Sequence, residues 1–236
     1  MQLSIAVAKI DKWAVRQGGD TLEMIERPNG GVSVVLADGQ SSGPGAKAIS
    51  IWVVRKVVAE LAEGVRDGAA ARAANDALFS LRSGKVSCTL TILSVDLSTR
   101  TLVFTRCGDL PVYVRTAAGE LHCLESKAPT LGFYRHARPA VDQVPLSPGV
   151  WACAFTDGLR HAGARKNVHL DLPTTLEELW SGPRTAQQVA DELLARSMAL
   201  DDQRPVDDTS LMVLHASEGD NVGPRRMQVE MPVPEA

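Results

Sequence analysis

Three apolar runs in this 236-residue chain begin or end on aspartate. Residues 32–36 lead into Ala37-Asp38-Gly39, and residues 150–155 lead into Thr156-Asp157-Gly158. Asp207-Asp208 opens onto the run 209–214. A strand that finishes on an unpaired aspartate projects a carboxylate from the end of a sheet. If three such ends meet, they form an all-oxygen site suited to Mg2+ or Mn2+. One Asp-Gly pair alone is a turn signal, and spacing by itself moves the balance only moderately toward ligands.

The intervening segments set the fold class. Alternation at Leu3, Ile5 and Val7 predicts a half-buried strand over 3–9. Strands over 21–25 and 32–37 flank Pro28-Asn29-Gly30-Gly31, a hairpin signal. Ile49, Val53, Val57 and Leu61, widened by Ile51, Val54 and Val58, predict a helix over 46–63 lying on a sheet. A second, alanine-rich helix over 69–81 ends at Ser83-Gly84. Strands are expected over 86–95, 101–106, 112–115 and 121–124, and their short connections imply antiparallel pairing of consecutive strands. Residues 125–149 read as loop, 150–156 as a buried strand, and 163–173 has no clear period. Helices follow over 174–180 and 185–199, the latter with Thr185 and Gln188 as a capping box, then a strand over 209–214. Strands without regular βαβ alternation, with helices in pairs, give an α+β layered fold.

Composition narrows the function. Charged residues are 22% and the formal charge is −3 without a basic block, which argues against nucleic acid and anionic membranes as partners. Aromatics at 4% give little stacking surface for single strands. Cys88, Cys107, Cys123 and Cys153 are widely spaced in strand-like runs and read as buried free thiols. Residues 1–8 lack a cationic lead, and no apolar run reaches spanning length, so a cytoplasmic location is expected. Nucleophile-elbow and P-loop motifs are missing. His122, His136, His161, His169 and His215 are scattered, with none read at i, i+4 to a carboxylate on a helix face. His161 either approaches the mouth of the acidic site or is a surface residue.

The order Gly19-Asp20, Val34-Val35-Leu36-Ala37-Asp38-Gly39, Thr89-Leu90, Gly108-Asp109-Leu110-Pro111, Leu131-Gly132, Phe155-Thr156-Asp157-Gly158, Asp207-Asp208-Thr209-Ser210-Leu211 resembles the bacterial PP2C-like serine/threonine phosphatases. The likeness is to the compact SpoIIE/RsbX-type branch. It implies a four-layer α/β/β/α sandwich of two antiparallel sheets flanked by helices. The domain would span 1–216, leaving 217–236 as a tail that is flexible or, around 227–233, an edge strand. It also implies two Mn2+ or Mg2+ ions, with Asp38 bridging, Gly39 giving its carbonyl, and Asp157 and Asp207 as ligands. Asp20 would act mostly through water, and Asp208 would support the ligands from behind. Asp38, Asp157 and Asp207 become the catalytic set. The implied reaction is attack by a metal-bridging water on a phosphoserine or phosphothreonine. The implied substrate is a small regulatory protein such as an anti-sigma-antagonist or stressosome component.

Two departures stand out. Many members carry a histidine soon after the first Asp-Gly, where this chain has Gln40-Ser41-Ser42-Gly43. The proton donor is then a metal-bound water, Ser42, or none. The phosphate-binding arginine of larger relatives has no secure counterpart, and Arg16 is either that group or a solvated side chain. Tyr134, Arg135, His136 and Arg138 form a cationic stretch that faces a partner or only solvent. The competing reading is a catalytically weak or inactive module that keeps the fold and binds partners.

Overall fold

The computed structural model describes residues 1–220 and 223–232. Among these, the chain runs through β1 (Gln2–Ile10), β2 (Asp20–Glu26), β3 (Val32–Gly39), α1 (Pro44–Ala62), α2 (Asp67–Arg82), β4 (Cys88–Asp96) and β5 (Thr101–Cys107). It continues through β6 (Val112–Arg115), β7 (Leu121–Leu124), β8 (Ala140–Pro145), β9 (Trp151–Phe155), α3 (Asp157–His161), α4 (Leu172–Trp180), α5 (Ala186–Leu200) and β10 (Thr209–Ser217). Two five-stranded sheets form, ordered β1-β10-β9-β6-β7 and β2-β3-β4-β5-β8. Every pairing is antiparallel.

The two-residue period of a strand explains the layers. Val34 and Leu36 turn into the space between the sheets, with Leu93, Phe104, Val112, Val114, Met212 and Leu214. Val35 and Ala37 turn outward and meet Val53, Val54, Val57 and Leu61 of α1 and Ala70, Ala74 and Leu78 of α2. On β9, Ala152 and Ala154 face the inter-sheet layer, while Trp151, Cys153 and Phe155 meet α4 and α5 through Leu176, Leu179, Val189 and Leu193. Both faces of each sheet are covered, so central strands read as continuous apolar runs. The result is the expected α/β/β/α sandwich.

Several expectations need adjustment. The step from β5 to β6 is not a hairpin: the chain changes sheets through 108–111, and β5 pairs with β4 and β8 instead. Gly108, at φ 129°, allows that exit. Strand β8 lies in the stretch read as loop. Its half-exposed alternation and bracketing Pro139 and Pro145 fit an edge strand, where proline is tolerated. Cys88, Cys107 and Cys153 are buried free thiols, but Cys123 is exposed on the edge strand β7. Thr185 and Gln188 do form a reciprocal capping box on α5. β10 ends at Ser217, and the Met1 amino group donates to the Gly219 carbonyl (2.6 Å). Residues 223–232 carry no strand or helix, with Met227, Val229 and Met231 exposed; Val233 lies outside the described residues.

Phe104, fully buried between the sheets, tests this layering. Phe104→Ala is expected to cost about 3–5 kcal/mol. Val141→Ala, at an exposed position of β8, should stay within about 0.5 kcal/mol. Thermal or urea melts compare the two.

Candidate metal centre

The sandwich delivers its carboxylates to one end. Asp38 follows Val34 and Leu36 in the strand period, so it continues the inter-sheet face to the rim of its sheet. Asp20 opens β2 directly opposite Asp38 in the β2–β3 register. Asp38 and Gly39 are still inside the ladder, paired to Thr89 and Cys88, so β3 runs two residues further than its apolar run suggests. From the other sheet, Asp157 begins α3 straight after β9, and Asp207-Asp208 precede β10. Asp38, Gly39, Asp157, Asp207 and Asp208 line one cleft of about 350 Å³, with Lys12, Ser41, Ser42 and Thr89. A larger depression of about 710 Å³, beside Gly182 and Arg184, carries only Asp191 and Glu192 as acids, the first exposed and the second half-buried on α5.

Two glycines allow this approach. A Cβ on Gly39 would meet the Ala46 carbonyl oxygen at 2.1 Å, and one on Gly158 would meet the Asp208 carbonyl oxygen at 2.1 Å. Neither obstacle is a movable side-chain tip. Glycine after Asp38 therefore lets α1 seat against β3, and glycine after Asp157 lets α3 seat against the start of β10.

The polar frame is specific. Thr156 Oγ1 donates to Asp20 Oδ2 (2.8 Å) and accepts the Ser210 amide (2.9 Å), joining the two sheets beneath the cleft. Asp208 is held by backbone: its Oδ1 accepts from the Lys12 amide (2.8 Å) and its Oδ2 from the Gly19 amide (2.6 Å). It ties the 11–19 loop to the start of β10 and presents less free oxygen than its neighbours. Asp207 Oδ1 accepts the Asp208 amide (3.1 Å) and lies 3.6 Å from the Lys12 ammonium. The carbonyl of Asp20 accepts from both Lys9 (2.8 Å) and Lys47 (2.5 Å).

Arg16 is exposed on the 11–19 loop and does not line the cleft; Lys12 does. Gln40 occupies the place after Asp38-Gly39, and its side-chain oxygen accepts the Ser87 amide (2.9 Å). Sequence reasoning missed Lys12 and assigned no role to Thr89 or Thr156. Thr156 carried a signal as the residue before an Asp-Gly at a strand end, and Thr89 as part of the ordered set that carries the resemblance. His161, expected either at the mouth of the acidic site or on the surface, stands on α3 at i, i+4 from Asp157, with Nδ1 3.8 Å from Asp157 Oδ2. The spacing was visible, but a five-residue helix was not.

Burial, then crowding, raises three of the acids. Burial first, then the charges of Asp20, Asp157 and Asp207, pushes the Asp38 carboxyl up to about 9. Burial, opposed by hydroxyl hydrogen bonds and aided by Asp208, pushes Asp20 up to about 6. Asp157 is raised by burial and then by Asp207. Asp20 Oδ1 is buried without a hydrogen-bond partner. Such a set of hard oxygens, short of positive charge, is what Mg2+ or Mn2+ satisfies.

A family model described as stage II sporulation protein E (SpoIIE) matches residues 28–217. The chain belongs to the SpoIIE family. Its fold is similar to the PP2C phosphatase domain, with a fragment of the regulatory domain, of SpoIIE from Bacillus subtilis. That match has TM-score 0.77 and 19% identity, over 93% of this chain and 64% of that one. RsbX in complex with magnesium gives TM-score 0.69 and 18% identity, over 91% of this chain and 96% of that one. The catalytic domain of the serine/threonine protein phosphatase PstP, with two manganese ions, gives TM-score 0.69 and 18% identity over 92% and 99%. At such identities these are likenesses of fold. None of the curated proteins matches the sequence.

An acid raised by folding stabilises the fold below its unfolded value, near 3.8, and that contribution is lost as pH climbs through the folded value. The metal-free protein should therefore lose stability from about pH 4 upward, through about 6 for Asp20 and about 9 for Asp38. Asp38→Asn should flatten that decline and raise the metal-free Tm at pH 8 by at least about 2–4 °C, or roughly 1 kcal/mol. Melts in chelator from pH 5 to 9 check both.

Proposed function

We propose that the chain is a metal-dependent protein serine/threonine phosphatase. Two ions, Mn2+ or Mg2+, would be held by Asp38, Asp157 and Asp207, with the Gly39 carbonyl completing the set. Asp20 would take part through water, using its unpartnered Oδ1, and Asp208 would fix the loop behind Asp207. The observation that carries this reading is the convergence of carboxylates from both sheets on one cleft with Lys12 as the cation among its lining residues. A phosphoryl dianion cannot approach those charges without positive charge between. When bound, such cations supply an activated water nucleophile and neutralise charge on the phosphoryl oxygens.

The chain's own residues do the rest. Asp38, central to the repelling set, would release its proton to solvent when a cation is held there. Lys12 places an ammonium at the rim, 3.6 Å from Asp207, where it would draw phosphate in. Arg16 meets phosphate only on a substrate broad enough to overlie the 11–19 loop. The leaving alkoxide would take its proton from Ser42 or from water in the site, or depart unassisted, since Gln40-Ser41-Ser42-Gly43 holds no histidine. The cleft opens at the surface, which suits a phosphoserine or phosphothreonine carried on a folded partner. Family membership supports a small regulatory protein as that partner, of the anti-sigma-antagonist or stressosome kind. Four unpaired cysteines support a cytoplasmic location within the same proposal.

Asp38→Ala and Asp157→Ala are expected to lower Mn2+-dependent hydrolysis of p-nitrophenyl phosphate and of a phosphoserine protein by at least about 100-fold. Circular dichroism should remain native in both. Chelator should abolish wild-type turnover. Wild-type rates in both variants would refute the assignment. Phosphoprotein binding without any metal-dependent turnover would favour the binding-module reading.

A further inference from the structure

His161 stands beside the carboxylate cluster without lining the cleft itself. It closes α3 four residues after Asp157, so both side chains leave the helix on one face. Ligand-capable atoms of Asp157, His161 and Asp207 all lie within 4.8 Å of one another. Two donors on opposite sides of one cation, each at about 2.1 Å, stand about 4.2 Å apart. Only one pair can be opposite, and three donors spread evenly around one ion stand about 3.6 Å apart, so side-chain rotations that draw the atoms together by about 1 Å bring all three to one ion. The imidazole is 52% exposed and free to turn. Of the neighbouring cations, Arg160 reaches Asp109 outside the trio (3.3 Å), while Lys12 approaches Asp207 within it (3.6 Å).

We propose that His161 supplies a nitrogen ligand to the divalent ion held by Asp157 and Asp207. This rests on the metal-dependent reading above. Its consequence is selectivity. An all-oxygen set suits Mg2+, whereas imidazole favours transition ions. The Asp157–Asp207 side of the site would prefer Mn2+, Fe2+ or Zn2+ over Mg2+ through this residue. The plain alternative is an i, i+4 ion pair on a surface helix, with no metal involved.

Pulsed electron paramagnetic resonance on the full chain loaded with Mn2+ tests the contact directly. Wild type should show 14N coupling to bound Mn2+, and His161→Ala should lose it. Calorimetric titration should show Mn2+ binding weakened at least about tenfold at one site in His161→Ala. Mg2+ binding should change no more than about twofold, as expected for a lost nitrogen donor. Metal-free melting of the variant should match wild type. Tight Mn2+ binding in wild type with no nitrogen coupling, or equal affinities in the two proteins, overturns the role of His161 while leaving the metal centre standing. No Mn2+ binding in wild type overturns both.

Discussion

One buried hydrogen bond, from the Thr156 hydroxyl to Asp20, joins the two sheets at the acidic end of the sandwich. Elsewhere the sheets are held by apolar side chains such as Leu36, Phe104 and Leu214. At the cleft that packing gives way to carboxylates whose charges oppose one another. Thr156 belongs to the segment between β9 and α3, and Asp20 to β2, so the contact sets how far Asp157 stands from Asp38. Asp208 performs the matching task for the 11–19 loop through two backbone amides. The geometry of the site is thus set by residues that spend their own hydrogen bonds on backbone or on each other.

The cluster is a strained arrangement in stability terms. Like charges in a half-buried cleft destabilise the fold unless a proton or a cation is present. The apolar layers on both faces of each sheet are large enough to hold the carboxylates together regardless. Functional sites commonly carry such a cost against the stability of the surrounding scaffold.

Much of this was legible in the sequence. Alternation placed β1, continuous apolar runs placed β3, β9 and β10, the helical period placed α1, and Thr185-Gln188 fixed the start of α5. Asp38, Asp157, Asp207 and Asp208 stood out because acids at strand ends break an apolar run. The rest was hidden for physical reasons. β8 is a half-exposed edge strand bracketed by prolines, so it resembles loop. β6 changes sheets because of backbone geometry at Gly108, which residue type only hints at. α3 is too short to show a period, so the helical i, i+4 relation of His161 to Asp157 stayed hidden. Lys12 reaches the cleft through a loop pinned by a residue nearly two hundred positions away, a contact that no local pattern encodes.

The most direct test is diffraction at the manganese absorption edge from crystals grown with Mn2+. Two anomalous peaks should lie between the carboxylates of Asp38, Asp157 and Asp207, one of them touching the Gly39 carbonyl. A well-ordered cleft with those side chains in place and no peak among them, at saturating Mn2+, would contradict the metal centre.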